Sequence, residues 1–242
     1  MPSGAPFAHP LLGALSGPTR RDLASELTPF ALNAGDVLFD AGEELDRVWF
    51  VLRGLVSLSS VFEDGTEVDG HTVGRGAAVG LPSSLGSRLA FHRATVQVEG
   101  AAWTLPGRSC AAAMAADPVF NSRMMLYYEA VYASVARASA CNGAHSLRQR
   151  FCRWILVCRH QLGADELPVR QDLLTRMLGV NRTTVAPISR SLQQEGVISV
   201  RHGRILIEDV GRLEQASCEC YGAMRVRFDR MSTPHPDPAG AP

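Results

Sequence analysis

Between Phe30 and Leu105 the chain changes between apolar and polar residues in short runs. The segments VWFVL (48–52), VSLSSV (56–61), TEVDGHTV (66–73) and ATVQVEGAAWTL (94–105) are rich in β-branched and aromatic residues. Gly35, Gly42, Gly54, Gly74, Gly76 and Gly100 punctuate them, and Asp64-Gly65 between two alternating runs predicts a hairpin. Many short strands at close spacing predict an antiparallel sandwich or barrel. A short helix is expected over residues 19–28, with Thr19 as its cap. Beyond Asp117 the period lengthens. Asp117 as N-cap and Pro118 at the first helical position open a long helix. Phe120, Met124, Tyr127, Val131, Val135 and Ala138 recur along it at steps of 4, 3, 4, 4 and 3. Such a stripe fits a helix packed on its own sheet. It fits a seam between two copies equally well, and a seam is expected because the preceding domain should already be closed.

A second helix is expected over 146–162, followed by RQDLLTRML (170–178), a turn at Gly179-Val180-Asn181, and another helix. VISV (197–200) and RILIE (204–208) then flank His202-Gly203 as a small hairpin, and residues 209–229 form a last helix. Two helices joined by a tight glycine turn and followed by a hairpin make a winged helix-turn-helix. Val185, Ile188 and Leu192 face inward from its second helix, and Arg182, Thr183, Ala186, Ser189 and Arg190 face outward. Outward residues near the start of such a helix reach base edges, and arginine suits guanine. The backbone of Arg170 and Gln171 begins the preceding helix and points its N-terminus at a phosphate. Pro187 is the anomaly. Under an Asn181 cap it sits inside the helix, where it removes a hydrogen bond and clashes, at ~3 kcal/mol. Under a Thr184 cap it costs little, but the first turn is lost. A kinked or frayed first turn is expected.

Net charge is zero but unevenly spread. Residues 1–146 hold 10 Arg and 14 acids; residues 147–212 hold 11 Arg and 6 acids. The step predicts two domains, the second facing a polyanion. The chain contains no Lys, and no P-loop, nucleophile elbow or HExxH, so no catalytic residues are assigned. No apolar run approaches the ~20 residues a membrane span needs, and the N-terminus carries no basic leader; a cytoplasmic protein is expected. The six cysteines show no C-x-x-C pair. Cys218 and Cys220 would point about 200° apart on one helix, which disfavours shared metal ligation, so no metal site is assigned.

The order of strands, long helix and winged helix, with AGDVLFDAGEELDRVWFVLRG near the front, resembles the CRP/FNR transcriptional regulators. The resemblance covers roughly residues 25–212. It implies an α+β fold: an N-terminal antiparallel β-roll (jelly-roll-like), a long dimerisation helix and a C-terminal winged helix-turn-helix. Expected domains are 1–117 for effector sensing, with 1–18 flexible; 118–143 for dimerisation; 144–230 for DNA binding; and a disordered tail, 231–242. In VNRTTVAPISRSLQQEGVI, Arg182 matches the first base-reading arginine, while Thr183 and Pro187 depart from the common Glu and second Arg. Asn181, Thr183, Thr184, Ala186 and Arg190 accompany it, and His202, Gly203 and Arg204 match phosphate-contacting wing positions. The implied partners are double-stranded DNA, a second copy of the chain and, for an activator, RNA polymerase, with no membrane.

For the sensing half, the resemblance places an effector loop at VGLPSSLGSRLAFHRATVQV (79–98). Gly80, Ser83, Ser84, Arg93, Ala94 and Thr95 are the candidate effector-binding residues, suited to a small anion. Cyclic AMP is a poor fit, because the ribose-binding glutamate position is Leu81 and the adenine-holding hydroxyl positions are Val135 and Ala136. Arg93 could instead pair with an acid of its own domain. No cysteine precedes Cys110, so the N-terminal iron–sulfur motif is missing, and neither His71 nor His92 is singled out as a haem ligand. The motifs AxACNxxHS (138–146) and CECY (218–221) suggest a subgroup whose effectors are mostly unassigned. The alternative function is a ligand-sensing regulator that has lost specific DNA binding and works through protein partners.

Overall fold

The computed structural model describes residues 5–169 and 171–232. Two short 3-10 turns, Pro6–Ala8 and Leu12–Ala14, precede helix α1 (Gly17–Leu23). Strands β1 (Thr28–Leu32), β2 (Val37–Phe39), β3 (Arg47–Val61), β4 (Glu67–Val73), β5 (Ala78–Val79) and β6 (Arg93–Pro106) form one antiparallel sheet in the order β1-β6-β3-β4. Within it β2 pairs with β6 and β5 pairs with β3. Long, bulged β3 and β6 are the spine on which the roll closes. At Gly54 the backbone turns to φ 99°, and an added Cβ would lie 2.7 Å from the Val98 carbonyl. That crossing admits no side chain. The predicted Asp64-Gly65 hairpin joins β3 to β4, with Gly65 at φ 81°.

Residues 5–18 correct the expectation of a flexible N-terminus. Leu11, Leu12 and Leu15 are buried in the β-roll core with Phe50, Val51 and Leu105. The first helix starts at Gly17 with Ser16 at the N-cap position, three residues before the expected Thr19 cap.

Helix α2 (Gly107–Ala116) leads to α3 (Pro118–Ala144), whose N-cap Asp117 accepts from the Phe120 amide. Phe120, Met124 and Tyr127 are fully buried against the roll of their own chain, and the Tyr127 hydroxyl exchanges hydrogen bonds with the Ala78 backbone. Their expected place in a dimer seam is therefore overturned. Val131 and Ala138 are half-buried, and of the six only Val135 is exposed. The apolar stripe is used up inside the chain because the roll is open along this side until the helix covers it.

Helix α4 (Leu147–Leu162) begins with a capping box between Ser146 and Gln149. Next come β7 (Glu166–Leu167), α5 (Gln171–Leu178), α6 (Arg182–Gln194), β8 (Ile198–Arg201) and β9 (Arg204–Ile207), with sheet order β7-β9-β8. The last helix of the sequence reading is two helices, α7 (Val210–Ala216) and α8 (Cys220–Ser232). They break at Ser217 and Cys218, where the chain leaves the helical register. A second core, around Phe151, Trp154, Ile155, Leu192 and Leu213, holds this half together. The expected disordered tail, 231–242, is corrected at its start, since α8 runs to Ser232; its remainder lies outside the described residues.

The two halves share apolar packing, with Leu55 of β3 and Val98 of β6 in the second core, and polar and glycine-mediated contacts beside it. Arg176 of α5 donates to Asp69 of β4 (3.2 Å) and to Gln97 of β6 (3.2 Å). Asp69 is fully enclosed; burial pushes its carboxyl up, against the opposing pull of Ser57 and Arg176. Beside it, Gln161 of α4 donates to the Thr72 carbonyl, and a Cβ on Gly74 would lie 2.5 Å from that of Gln161. Arg176→Met keeps the aliphatic stem and strands the Asp69 carboxylate. The expected loss is roughly 2–4 kcal/mol at pH 7 by urea unfolding, shrinking toward acid pH as Asp69 takes a proton. An unchanged midpoint would rule this contact out as a determinant.

His9 and His71 are enclosed, and burial lowers each from 6.5 to about 4. His71 stacks on Phe228, with His92 adding repulsion. The fold holds the neutral form, while the unfolded chain takes up protons at higher pH. Stability should therefore fall as pH drops from about 6.5 to about 4 and flatten below, by roughly 3 kcal/mol per histidine. His71→Phe should flatten the slope in that window; an identical pH profile would contradict the assignment.

Candidate nucleic-acid interface and sensing pocket

The turn between α5 and α6 is built around Gly179, at φ 63°. Its amide closes on Arg176 and that of Val180 on Thr175, ending α5 in a left-handed cap. Asn181 then caps α6, and the amides of Thr184 and Val185 bond back to its carbonyl. The first turn is formed, so the frayed start expected from Pro187, and with it the Thr184 cap, is corrected. Pro187 lies inside the helix and leaves the Thr183 carbonyl without its amide partner. Both residues are exposed or half-exposed, so water takes that carbonyl and the cost stays tolerable.

Val185 and Leu192 anchor α6 in the core. Asn181, Arg182, Thr183, Thr184 and Arg190 are exposed, and Ala186 is half-buried. Ser189, expected to face outward, is buried at the floor of the cleft between α6 and the wing. That cleft, of about 600 Å³, has Arg182, Ala186 and Ser189 on one wall and Val200 and Gly203 on the other. The wing turns tightly, with His202 at φ 50° and Gly203 at φ 74°, the two-residue hairpin geometry. Arg201 and Arg204 stand directly opposite each other across its tip. Like charges in register repel, which an approaching anion relieves. Arg204 pairs with Glu166 at 3.1 Å, whereas Arg182, Arg190 and Arg201 have no acidic partner among the described residues. Sequence reasoning missed Arg201; its position one residue before the His202-Gly203 turn was the available signal. Arg170 lies outside the described residues, and Gln171 is described only as the first residue of α5.

The basic surplus of this half is only partly free for DNA. Arg148 pairs with Glu195, Arg150 donates to the Leu178 carbonyl at the end of α5, and Arg212 to the Glu195 carbonyl at the end of α6. These cations close helix C-termini, where orphan carbonyls and the helix dipole favour them.

The effector candidates do not converge. Arg93 is engaged by Asp40 at 2.5 Å, with Glu67 at 4.0 Å. The Asp40 carboxylate raises the affinity of the guanidinium for its proton. Ser83 and Ser84 point inward instead: Ser84 donates to the Leu81 carbonyl, and Ser83 packs against Gly107. Gly80, at φ 83°, lies so close to Trp49 and the Arg47 carbonyl that its missing side chain serves packing. Ala94 is buried, and Thr95 lies in the ladder between Val37 and Ser57. The alternative left open for Arg93, a salt bridge within its own domain, is the arrangement found.

Two family profiles match the chain: a cyclic nucleotide-binding domain over residues 29–117 and a Crp-like helix-turn-helix domain over residues 149–216. The chain belongs to the CRP/FNR family. Members of this family regulate transcription through the helix-turn-helix. Similar solved structures include FixK2 from Bradyrhizobium japonicum, 17 % identical with a TM-score of 0.70, covering 79 % of this chain and 98 % of that one. TTHA1359, a CRP/FNR regulator from Thermus thermophilus, is 23 % identical with a TM-score of 0.66, covering 78 % and 98 %. The c-di-GMP responsive regulator CLP of Xanthomonas campestris is 15 % identical with a TM-score of 0.61, covering 80 % and 100 %. At these identities the structures establish the shared fold alone. No curated protein sequence matches the chain. Among the described residues, no helix is long and apolar enough to cross a membrane.

Pro187→Arg restores an amide donor for the Thr183 carbonyl and adds a cation to the exposed face of α6. A gain of about 1–3 kcal/mol in thermal or urea unfolding is expected, with tighter binding of DNA fragments. A less stable variant with unaltered DNA binding would contradict the account of the proline.

Proposed function

We propose that the chain is a homodimeric, sequence-specific DNA-binding regulator that works in the cytoplasm and whose sensing domain responds to something other than cyclic AMP. The observation that carries the reading is Arg182, without an acidic partner among the described residues, at the formed first turn of α6 and facing a cleft walled by the wing. An arginine there can reach guanine while Arg190, Arg201, His202 and, after leaving Glu166, Arg204 take phosphates. With proline in place of a second base-reading arginine, phosphate contacts carry a larger share of the affinity.

Dimerisation uses a different face of α3 from the one the hydrophobic pattern suggested. Ser122, Met125, Tyr132, Ala136, Ser139 and Gly143 recur at helical spacing on the side turned away from the roll, with Glu129 at its edge reaching Arg227 of α8. Tyr132 is 78 % exposed and Met125 41 %. Small residues toward the end, Ala136, Ser139, Ala140 and Gly143, let two helices approach closely. Such a seam holds two copies of α6 about one DNA turn apart, ~34 Å. Against cyclic AMP stand Leu81 at the ribose-binding position and Arg93 already occupied by Asp40. A small anionic effector would have to displace that carboxylate. RNA polymerase enters as a partner only if the regulator activates.

Binding to DNA fragments selected from a random pool tests the reading. Arg182→Ala should weaken the selected site by about 1–3 kcal/mol and relax one base position. Arg201→Ala should weaken all duplexes alike and lower the salt slope by about 1. Equal binding of selected and random duplexes by the unaltered protein would favour the alternative, a regulator acting through protein partners.

A further inference from the structure

Cys141, His145, Cys218 and Cys220 lie outside every contact used so far. Cys141 sits in the last turn of α3, and His145, four residues on, caps that helix through its amide to the Cys141 carbonyl. Cys218 lies in the link between α7 and α8, and Cys220 is the first residue of α8. They do not share a helix, because Cys218 precedes α8, and the step between them turns both sulfurs to one side. The expectation that helical geometry keeps these two sulfurs apart is thereby corrected.

The four ligand atoms all lie within 4.8 Å of one another. Cys141 Sγ is 3.5 Å from Cys218 Sγ, and Cys220 Sγ is 3.8 Å from His145 Nδ1. Sulfurs at ~2.3 Å and a nitrogen at ~2.1 Å from one ion stand roughly 3.5–3.8 Å apart at tetrahedral angles. The other ring nitrogen, His145 Nε2, meets the Glu219 carboxylate at 3.2 Å. That contact places the ring proton on Nε2 and turns the Nδ1 lone pair toward the sulfurs, the outer-shell arrangement of a metal-bound histidine. The three cysteines are buried in a cluster of their own, apart from both hydrophobic cores. Packing alone gives no reason to gather three thiols there. The 3.5 Å sulfur separation is a contact between free thiols.

We propose that Cys141, His145, Cys218 and Cys220 bind a single zinc ion as a closed structural site. Three thiolates and one imidazole at tetrahedral spacing select a soft-tolerant divalent ion, and ligands this close together fit one ion better than a multi-iron cluster, whose ligands divide among separate irons. With four protein ligands there is no open position for catalysis. A bound dication holds the three sulfurs as thiolates. The staple fastens α8 to the junction of α3 and α4. From there α8 runs back along α3, where Arg227 meets Glu129 at 3.2 Å, to the stack of Phe228 on His71 of the roll. The ion thus closes a strap from the DNA-binding half to the sensing half.

Metal analysis of the full-length protein, purified without a tag or chelator, tests the site. About one zinc per chain is expected, falling to near zero in Cys141→Ala and in Cys218→Ala and staying near one in Cys158→Ala, whose sulfur lies in the other core. Cobalt substitution should give the intense visible bands of tetrahedral thiolate ligation. Should the cysteine variants fail to fold, Glu219→Gln keeps the test open, since Glu219 is exposed and is no ligand. It should weaken zinc against a chromophoric chelator about 10–100-fold. A metal-free natively purified chain, iron in place of zinc, a Cys141–Cys218 disulfide, or equal zinc affinity in Glu219→Gln would each overturn the proposal.

Discussion

The burial of one side of α3 against the β-roll constrains everything that follows it. Phe120, Met124 and Tyr127 complete the core of the roll, and the Tyr127 hydroxyl is locked to the Ala78 backbone. Burying three such side chains stabilises by several kcal/mol, on the order of 1.5–3 each. The helix therefore cannot rotate about its axis to offer that stripe elsewhere. Its remaining surface is divided between α8 on one flank and the open face that carries Met125 and Tyr132. Any partner copy must take what is left.

The same rigidity carries position from the roll to the DNA-binding half. Helix α3 ends at His145 and α4 restarts at Ser146, so the only freedom between them is one capped junction. Two further contacts restrain it: Arg176 with Asp69 and Gln97, and Gly74 against Gln161. The first is polar and enclosed. Such contacts add little net stability but are costly to break on one side only, which suits an interface with few alternative arrangements. A change in the roll that moves β4 would be felt directly at α5, the helix on which α6 is set.

Element types were legible in the sequence because period and punctuation agree: Asp117-Pro118 opened α3, Asp64-Gly65 turned β3 into β4, and His202-Gly203 formed the wing. The partner of an apolar stripe was not. A 3–4 repeat reads the same whether it packs on its own sheet or on a second copy. Leu11, Leu12 and Leu15, set among glycines and prolines, lie in a segment read as flexible, yet they fill the roll. Pro187 was read as kinking or fraying the first turn, but the Asn181 cap and the anchors Val185 and Leu192 keep that turn formed. The charge step overstated the DNA surface, since Arg148, Arg150 and Arg212 serve helix ends. Arg93 was legible only as a pair of alternatives, because Asp40 is 53 residues away in sequence. The cysteines were opaque for the same reason: Cys141 and Cys218 are separated by 77 residues, and only the break between α7 and α8 brings the second pair round.

Two copies joined along the open face of α3, each offering α6 to one groove, is the claim on which the function turns. The most direct measurement is the mass of the complex formed on a selected palindromic duplex, by native mass spectrometry or sedimentation. Two chains per duplex, on half-sites about 10 base pairs apart, is the expected result. A single chain saturating the same duplex would contradict it.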